Sequence, residues 1–347
     1  FHCHGGRAVV EAVQRALIAI PGLRAAEPGE FTRRSFANGR MDLAEAEGLA
    51  DLLAAETEMQ RAAALANAQG GLSLQVGEWR DSVLRLSAQV EAALDFSDED
   101  DVDELPNGFT WNISELSQSL AQWLERPRAE KMGDGFRVAL AGPPKAGKST
   151  LFNALVESEA AITSPLAGPT RDVLARNVAI SGVPFSFVDT AGLREGSEDS
   201  IEQIGIDRAR AQFERADLIL WLGPEGEGPS NSWEIAPQSD GADFIPKPSA
   251  RYTLSAHTGA GVADLKLALV EAARAALPKP GDVALNARQH TLLSQAHEAL
   301  RSASGSSDLL LIGEDLRTVR LSFDRLIGKT TTEDMLDALF GRFCIGK

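Results

Sequence analysis

One short segment constrains the fold of this chain more than any other: residues 142–149, which read Gly-Pro-Pro-Lys-Ala-Gly-Lys-Ser. They fit G-x-x-x-x-G-K-[ST], a pattern in which a glycine-rich backbone wraps phosphate groups with its N–H groups pointing inward. An apolar run at residues 136–141 precedes the segment, and a helical pattern begins at Ser149. This order predicts an α/β domain that binds a nucleotide. The residues expected around the phosphates are Gly142, Lys145, Ala146, Gly147, Lys148, Ser149 and Thr150.

The phosphate loop also predicts where charge and metal would lie. We expect Lys148 to act catalytically by reaching the β- and γ-phosphates, and the Ser149 hydroxyl to ligate Mg²⁺. The sequence Asp-Thr-Ala-Gly begins at Asp189, directly after an apolar run at residues 185–188. Asp189 at a strand end can hold Mg²⁺ through water, while Gly192 offers an N–H to the γ-phosphate. A phosphate loop followed by this sequence indicates a GTPase switch.

A third element, Ala-Gly-Pro-Thr-Arg-Asp at residues 167–172, lies between these two. Gly168 and Thr170 are expected near the γ-phosphate, where the threonine completes the Mg²⁺ shell. An ordinary surface loop would have a similar composition, and that alternative stays open. The predicted magnesium ligands are therefore Ser149, Thr170 and Asp189.

The rest of the chain divides into helical flanks around this domain. Residues 178–180, 185–188, 218–222 and 252–254 read as further strands, with helical stretches at 204–213 and 262–275. Alternating strands and helices predict a largely parallel sheet covered on both faces. An apolar seam in steps of four and three predicts a long packed helix, through Leu72, Val76, Trp79, Val83, Leu86 and Val90. The predicted fold is an α/β P-loop domain inserted into an all-α domain that both flanks build.

Composition argues against several classes of protein. With 34 basic and 50 acidic residues the net charge is −16, so we expect no DNA partner, and RNA would need a local patch. No apolar run reaches the roughly 18–20 residues that span a bilayer, and we find no leader, so no membrane partner is expected. The only two cysteines, Cys3 and Cys344, lie at opposite ends, which indicates a reducing cytoplasm. Because the chain begins at Phe1 and not at methionine, we expect a fragment.

These motifs, with others, make the chain resemble the MnmE (TrmE) family of tRNA modification GTPases over essentially its whole length. The GTPase part of the resemblance is the phosphate loop, the Thr170 element and Asp189, followed by Ile-Glu-Gln-Ile-Gly at residues 201–205. Residues 27–32 (Glu-Pro-Gly-Glu-Phe-Thr) and 38–43 (Asn-Gly-Arg-Met-Asp-Leu) are similar to the family's passage from a folate-binding domain into a helical domain. The ending Cys-Ile-Gly-Lys is similar to the family's C-x-G-K.

The resemblance implies four segments. Residues 1–40 would be the C-terminal remnant of an α+β folate-binding and dimerisation domain, whose front precedes Phe1. Residues 41–132 would be the first part of the helical domain, and residues 133–278 the G domain. Residues 279–347 would complete the helical domain and end in the C-x-G-K motif.

The resemblance also implies a reaction. The family hydrolyses GTP with Mg²⁺ and K⁺ while it works with a flavoprotein, MnmG, to add an aminomethyl-type group at C5 of the wobble uridine of tRNA. A reduced folate of the 5-formyl- or methylene-tetrahydrofolate type supplies the carbon, and family members form homodimers. Glu202 matches the family's catalytic glutamate, although it also reads as a solvated glutamate at a helix start. Cys344 matches a reactive thiol, and a small buried hydrophobe is the alternative.

The sequence departs from the family on the base side of the site. Guanine-specific GTPases carry N-K-x-D, but the nearest frame here is Pro-Gln-Ser-Asp at residues 237–240, which keeps only Asp240. Ser255 and Ala256, followed by His257, resemble the family's S-A-K, in which a backbone N–H contacts the guanine oxygen. We expect Asp240, Ser255 and Ala256 to bind the base, and residues 223–248, rich in glycine and proline, to form a reshaped base pocket.

Two further departures lie near the phosphates. Lys145 stands where the family has an asparagine that ligates K⁺, so its ammonium group would replace or repel this ion, or would extend into solvent. We therefore predict a weaker dependence on K⁺ than the family shows. Pro169 has no N–H to donate and stiffens the loop beside Thr170.

Three functions remain open on the sequence alone. The first is an active GTPase of the wobble-uridine modification complex, which the intact phosphate and magnesium residues favour. The second is a folate- and partner-binding scaffold with a weakly hydrolysing G domain, which the altered base motif favours. The third is an ATPase that uses the same phosphate loop.

Overall fold

The computed structural model describes residues 2–95, 105–157, 160–161, 175–189, 212–242, 244–279, 281–330, 332–341 and 343. Within these residues seven helices precede the sheet: α1 (Arg7–Ile18), α2 (Glu30–Ala37), α3 (Leu43–Ala54), α4 (Glu58–Ala68), α5 (Gly71–Asp95), α6 (Phe109–Leu124) and α7 (Ala129–Asp134). The strands are β1 (Phe136–Ala141), β2 (Ala160–Ala161), β3 (Ala175–Ile180), β4 (Val183–Asp189), β5 (Leu218–Trp221), β6 (Ser232–Ala236) and β7 (Tyr252–Thr253). The other helices are α8 (Lys148–Val156), α9 (Val262–Ala276), α10 (Ala287–Gly305), α11 (Leu309–Leu326) and α12 (Glu333–Phe340).

Helices from both flanks of the sheet form one bundle. Residues of α5 and α6 share a hydrophobic core with residues of α10 and α11, although the whole sheet separates these pairs in sequence. The predicted seam of α5 is confirmed, because all six of its residues are at most 3 % exposed. Trp79 packs edge-on against Trp123 with ring centroids 5.4 Å apart and stacks on Phe323 at 5.8 Å. This shared core holds the two flanks together as one helical unit.

The sheet is mainly parallel, as predicted. Its strand order is β2-β3-β4-β1-β5-β6-β7, and the pairs β4–β1, β1–β5, β5–β6 and β6–β7 are all parallel. The strand β3 pairs antiparallel with both of its neighbours, β2 and β4. The register places Leu140 opposite Asp189 and Ala141 opposite Trp221, so that the carboxyl ends of β4 and β5 lie beside the start of the phosphate loop. Parallel sheets bind ligands at this edge.

The strand β6 was absent from the expected pattern and falls inside the glycine- and proline-rich stretch at 223–248. Its sequence, Ser-Trp-Glu-Ile-Ala, has no continuous apolar run, and only Ile235 and Ala236 are buried. Pairing with β5 on one side and β7 on the other stabilises it instead. The strand ends at Ala236, directly before the Pro-Gln-Ser-Asp frame, so Asp240 also lies beyond the carboxyl end of a parallel strand.

Hydrogen bonds to backbone carbonyl groups connect the α/β part to the helical part. The Gln60 side chain donates to the Met132 carbonyl at 3.0 Å, and the Met59 N–H donates to the Gly182 carbonyl at 3.3 Å. Asn67 donates through Nδ2 to the Ala284 carbonyl at 3.0 Å. A cleft of about 490 Å³ lies between the two parts. These contacts fix the sheet against α4 and against both connecting segments.

The N-terminal and C-terminal segments meet. Arg33 on α2 forms ion pairs with Glu333 and Asp337 on α12. Gly29 has φ 71°, and a Cβ there would lie 2.2 Å from the carbonyl oxygen of Phe340, so only glycine permits this approach. In the part of the chain that the structure describes, no helix is long and apolar enough to cross a membrane.

Candidate nucleotide-binding site

The phosphate loop connects β1 to α8 and takes its shape from two glycines. Gly142 has φ 148°, and a Cβ there would lie 3.0 Å from the backbone nitrogen of Gly223, so the loop can pass close to the segment after β5. Gly147 has φ 86° and forms the N-cap of α8. Both glycines adopt backbone conformations that a side chain would strain. The result is a turn that places the N-terminus of α8 next to the loop, where oriented N–H groups favour an anion.

Lys148 is the first residue of α8 and its side chain is buried, with the residue 6 % exposed. Its Nζ donates to the carbonyl oxygen of Gly142 at 3.0 Å and to that of Pro143 at 2.8 Å. A buried ammonium group is tolerated only where such hydrogen bonds compensate its lost hydration. The two carbonyls therefore hold the positive charge inside the loop, where an anionic phosphate would lie.

Ser149 and Asp189, two of the predicted magnesium ligands, contact each other. The Ser149 hydroxyl donates to Oδ2 of Asp189 at 2.8 Å, and Asp189 is 5 % exposed at the end of β4. Hydroxyl and carboxylate oxygens are the hard donors that Mg²⁺ prefers, and this ion usually takes one or two carboxylates together with phosphate and water oxygens. The pair therefore fits a magnesium ion. Among the described residues there is no group of three or more His, Cys, Asp or Glu suited to a metal.

The predicted base side of the site lies at the turn after β6. The pKa of the Asp240 carboxyl is lowered, first by a hydrogen bond from the Ser255 hydroxyl, then by its own backbone and by the nearby His257. Ser255 is fully buried, and its Oγ also accepts the N–H of Thr258 at 3.1 Å. The N–H of Ser239 donates to the Leu254 carbonyl at 3.1 Å, which ties the turn to β7. Asp240 therefore presents an ionised carboxylate that can accept hydrogen bonds.

The structure brings most of the predicted residues to one edge of the sheet. Ala146 is partly buried and Thr150 is exposed, both within the segment from the loop to α8, while Lys145 is exposed. Ala256 is partly buried next to Ser255. Five other predicted residues lie outside the described part of the chain: Gly168, Thr170, Gly192, Glu202 and Cys344.

Sequence reasoning assigned no role to one residue that the structure places in the site. Gln238 extends from the base-side turn to the phosphate loop, where its Nε2 donates to the Lys145 carbonyl at 3.3 Å. Its place in the Pro-Gln-Ser-Asp frame could have drawn attention to it. The contact itself depends on the path of two loops, which no local pattern specifies.

Two family models match the chain. The model described as "MnmE helical domain" matches residues 43–344. The model described as "GTP-binding protein TrmE N-terminus" matches residues 1–40. Between them they leave only two residues of the first 344 unmatched, Met41 and Asp42.

Curated relatives match the whole chain. A protein named "tRNA modification GTPase MnmE" from Erythrobacter litoralis is 64 % identical over 346 residues, covering 100 % of this chain and 82 % of that protein. Proteins of the same name from Novosphingobium aromaticivorans and Sphingopyxis alaskensis are 59 % and 52 % identical, covering 82 % and 86 % of those proteins and all of this chain. Among solved structures, the G domain of the T. maritima FeoB iron transporter is 25 % identical over 40 % of this chain and 98 % of that one, with a TM-score of 0.28.

Proposed function

The chain belongs to the MnmE family of tRNA modification GTPases, and from that premise we propose that it is the GTP-hydrolysing component of a complex that modifies the wobble uridine of tRNA at C5. The contact between Ser149 and Asp189, next to the buried Lys148, is the observation that supports an active enzyme most strongly. These three side chains are the ones that phosphoryl transfer from a bound nucleotide requires. All three lie at the carboxyl end of parallel strands, which is where this fold binds nucleotides.

We assign each described residue one task in hydrolysis. Lys148 holds positive charge against the β- and γ-phosphates and stabilises the charge that develops on them. Ser149 and Asp189 hold Mg²⁺, which when bound neutralises phosphate charge. The N–H groups at the start of α8, after Gly147, bind phosphate oxygens. In this proposal Gly142, Ala146 and Thr150 shape the rest of the phosphate-binding segment.

Fewer groups recognise the base than bind the phosphates. Asp240 accepts hydrogen bonds from the N1 and N2 positions of guanine, which adenine cannot supply in the same arrangement. Ser255 holds the Asp240 carboxylate, and the backbone N–H near Ala256 reaches the guanine oxygen. We propose that these contacts suffice for a preference for GTP over ATP.

We also propose roles for five residues outside the described part of the chain. Glu202 orients the attacking water, and Thr170 with Gly168 completes the magnesium and γ-phosphate contacts. Gly192 binds the γ-phosphate through its N–H and moves when this phosphate leaves. Cys344 acts as a thiol near the site of tRNA modification.

We further propose the family's partners and cofactors for this chain. These are tRNA, the flavoprotein MnmG, a second copy of the chain and a reduced folate of the 5-formyl- or methylene-tetrahydrofolate type, in the cytoplasm. The proposal keeps the boundaries 1–40, 41–132, 133–278 and 279–347 for the folate-binding remnant, first helical part, G domain and second helical part. At Lys145 we propose a side chain that weakens the need for K⁺.

Steady-state hydrolysis of GTP beside ATP, with Mg²⁺ and K⁺ on the full chain, tests the enzymatic proposal. We expect turnover of GTP with little turnover of ATP, and loss of turnover in Lys148→Ala. Lys329→Ala, which removes an exposed lysine from the helical part, is the matched control and should keep the rate. Equal turnover of both nucleotides would contradict guanine recognition by Asp240.

A second candidate function is a scaffold that binds folate and partners and hydrolyses nucleotide poorly. The observation that favours it is the base-side turn, where Pro237 and Gln238 replace the asparagine and lysine of the guanine motif. If the full chain turns over neither GTP nor ATP, yet binds MnmG and a reduced folate, the scaffold replaces the enzyme as the better account.

A further inference from the structure

The Gln238 side chain joins two loops of the nucleotide site that lie 93 positions apart in sequence. Its Nε2 donates to the backbone carbonyl of Lys145 at 3.3 Å. A Cβ added to Gly147 would lie 3.3 Å from the same Nε2, so the carboxamide lies along the loop from Lys145 to Gly147. Gln238 also opens the turn that contains Asp240, because its own carbonyl accepts the N–H of Gly241 at 2.9 Å.

Both residues of this contact have left-handed backbone. Lys145 has φ 63° and Gln238 has φ 58°, and in the described part of the chain Ser181 is the only other non-glycine residue with positive φ. A residue with a Cβ adopts this conformation at a cost and keeps it only where surrounding contacts hold it. One hydrogen bond therefore joins two of these three residues, Lys145 and Gln238. The contact is therefore well placed to stabilise an unfavourable loop shape.

We propose that Gln238 is a positioning residue for the phosphate loop. Its carboxamide fixes the peptide between Lys145 and Ala146 and keeps the loop in its phosphate-binding shape before nucleotide arrives. Gln238 touches neither base nor phosphate in this role and acts through Lys145. The proposal rests on the nucleotide-binding function proposed above, and it makes the base-side turn a support for phosphate binding as well as for guanine recognition.

Competition against a fluorescent GDP on the full chain tests this role. The competitors are GTP and inorganic tripolyphosphate, which has phosphates and no base. In Gln238→Ala we expect both competitors to weaken by the same factor, about two- to tenfold, the range for one lost hydrogen bond. Gln238→Glu has the same shape without a donor and should weaken both at least as much. Ser239→Ala, in the same turn, is the matched control and should change neither.

Steady-state kinetics separate positioning from a structural role. Loss of positioning raises the KM for GTP in Gln238→Ala and leaves kcat at saturating GTP unchanged, because bound nucleotide restores the loop shape. A purely structural role would instead lower kcat and the Tm of the nucleotide-free chain together. If the alanine variant does not fold, the glutamate variant provides the same comparison.

Two results would overturn the inference without touching the proposed function. One is weaker GTP binding in Gln238→Ala with unchanged tripolyphosphate binding, because the residue would then act on the base. The other is failure of tripolyphosphate to compete in the unaltered chain, because the loop would then not be shaped in advance. If the unaltered chain binds no GDP and no GTP, the proposed function itself fails.

Discussion

The phosphate side and the base side of the proposed nucleotide site are built in different ways. On the phosphate side, Lys148, Ser149 and Asp189 contact one another or the loop backbone, and the charged groups of Lys148 and Asp189 are buried. On the base side, one exposed carboxylate, Asp240, is held by one buried hydroxyl, Ser255. Backbone geometry and a short motif can thus preserve phosphate binding while the base-reading side chains change. We therefore expect mutation to separate base recognition by Asp240 from phosphate binding by Lys148, Ser149 and Asp189, although Gln238 joins the two loops.

Among substitutions that distinguish the phosphate side from the base side, we expect Lys148→Ala to lower GTPase activity most. The substitution removes the ammonium group that the Gly142 and Pro143 carbonyls hold, and with it a major source of charge stabilisation. We expect kcat/KM for GTP to fall about 100- to 1000-fold, the range for losing one such group. The measurement is steady-state hydrolysis with GTP and with ATP. A loss confined to one of the two nucleotides would contradict a role on the phosphate side.

Asp189→Asn is expected to have the next largest effect. The amide keeps the size of the side chain and can still accept from Ser149, but it lacks the negative charge that holds Mg²⁺. We expect the Mg²⁺ concentration at half-maximal GTPase rate to rise about tenfold or more, because losing even a group that only orients a metal ligand costs about 10- to 100-fold in metal affinity. A titration of rate against Mg²⁺ measures this. Unchanged magnesium dependence would remove Asp189 from the metal site.

The pH dependence of nucleotide choice tests the base side. Because the pKa of Asp240 is lowered, its carboxylate stays ionised as pH falls, and its contribution is lost only as pH drops through that lowered pKa, below the ordinary 3.8. The ratio of GDP to ADP affinity should therefore stay constant between about pH 8 and pH 5. Taking the ratio cancels titration of the phosphates. A loss of guanine preference centred above pH 5 would mean that another group reads the base.

The smallest effect is expected for the choice of monovalent cation. Exchanging KCl for NaCl should change the GTPase rate less in the unaltered chain than in Lys145→Asn, because the ammonium group supplies charge near the phosphates. The measurement is the ratio of the two rates in each protein. An equal ratio in both would show that Lys145 has no influence on the cation.

The phosphate side could be predicted from sequence because its chemistry is contiguous. One segment of eight residues supplies the loop, Lys148 and Ser149, and the Asp189 carboxylate comes directly after the apolar run at residues 185–188. The helical bundle could also be predicted, because the apolar residues of α5 repeat at the spacing of a helix face that packs against another helix. Both depend on local pattern, which a sequence displays directly.

The base side could be predicted only in part because it depends on pairing between distant segments. The strand β6 has too few apolar residues to be recognised alone, and it forms because β5 and β7 flank it. Because β6 was not predicted, the sequence indicated Asp240 as a candidate but did not show that it follows the end of a strand. The contact from Gln238 to Lys145 is still less accessible, since it joins two left-handed residues across the site.

Equilibrium binding of GDP and ADP to the unaltered chain and to Asp240→Asn tests the separation of the two sides most directly. We predict that the variant loses about ten- to a hundredfold in GDP affinity, the range for a charge-assisted hydrogen bond, and keeps its ADP affinity. An equal loss for both nucleotides, or no loss for either, would contradict the claim that the Asp240 carboxylate reads the base and does not contribute to phosphate binding.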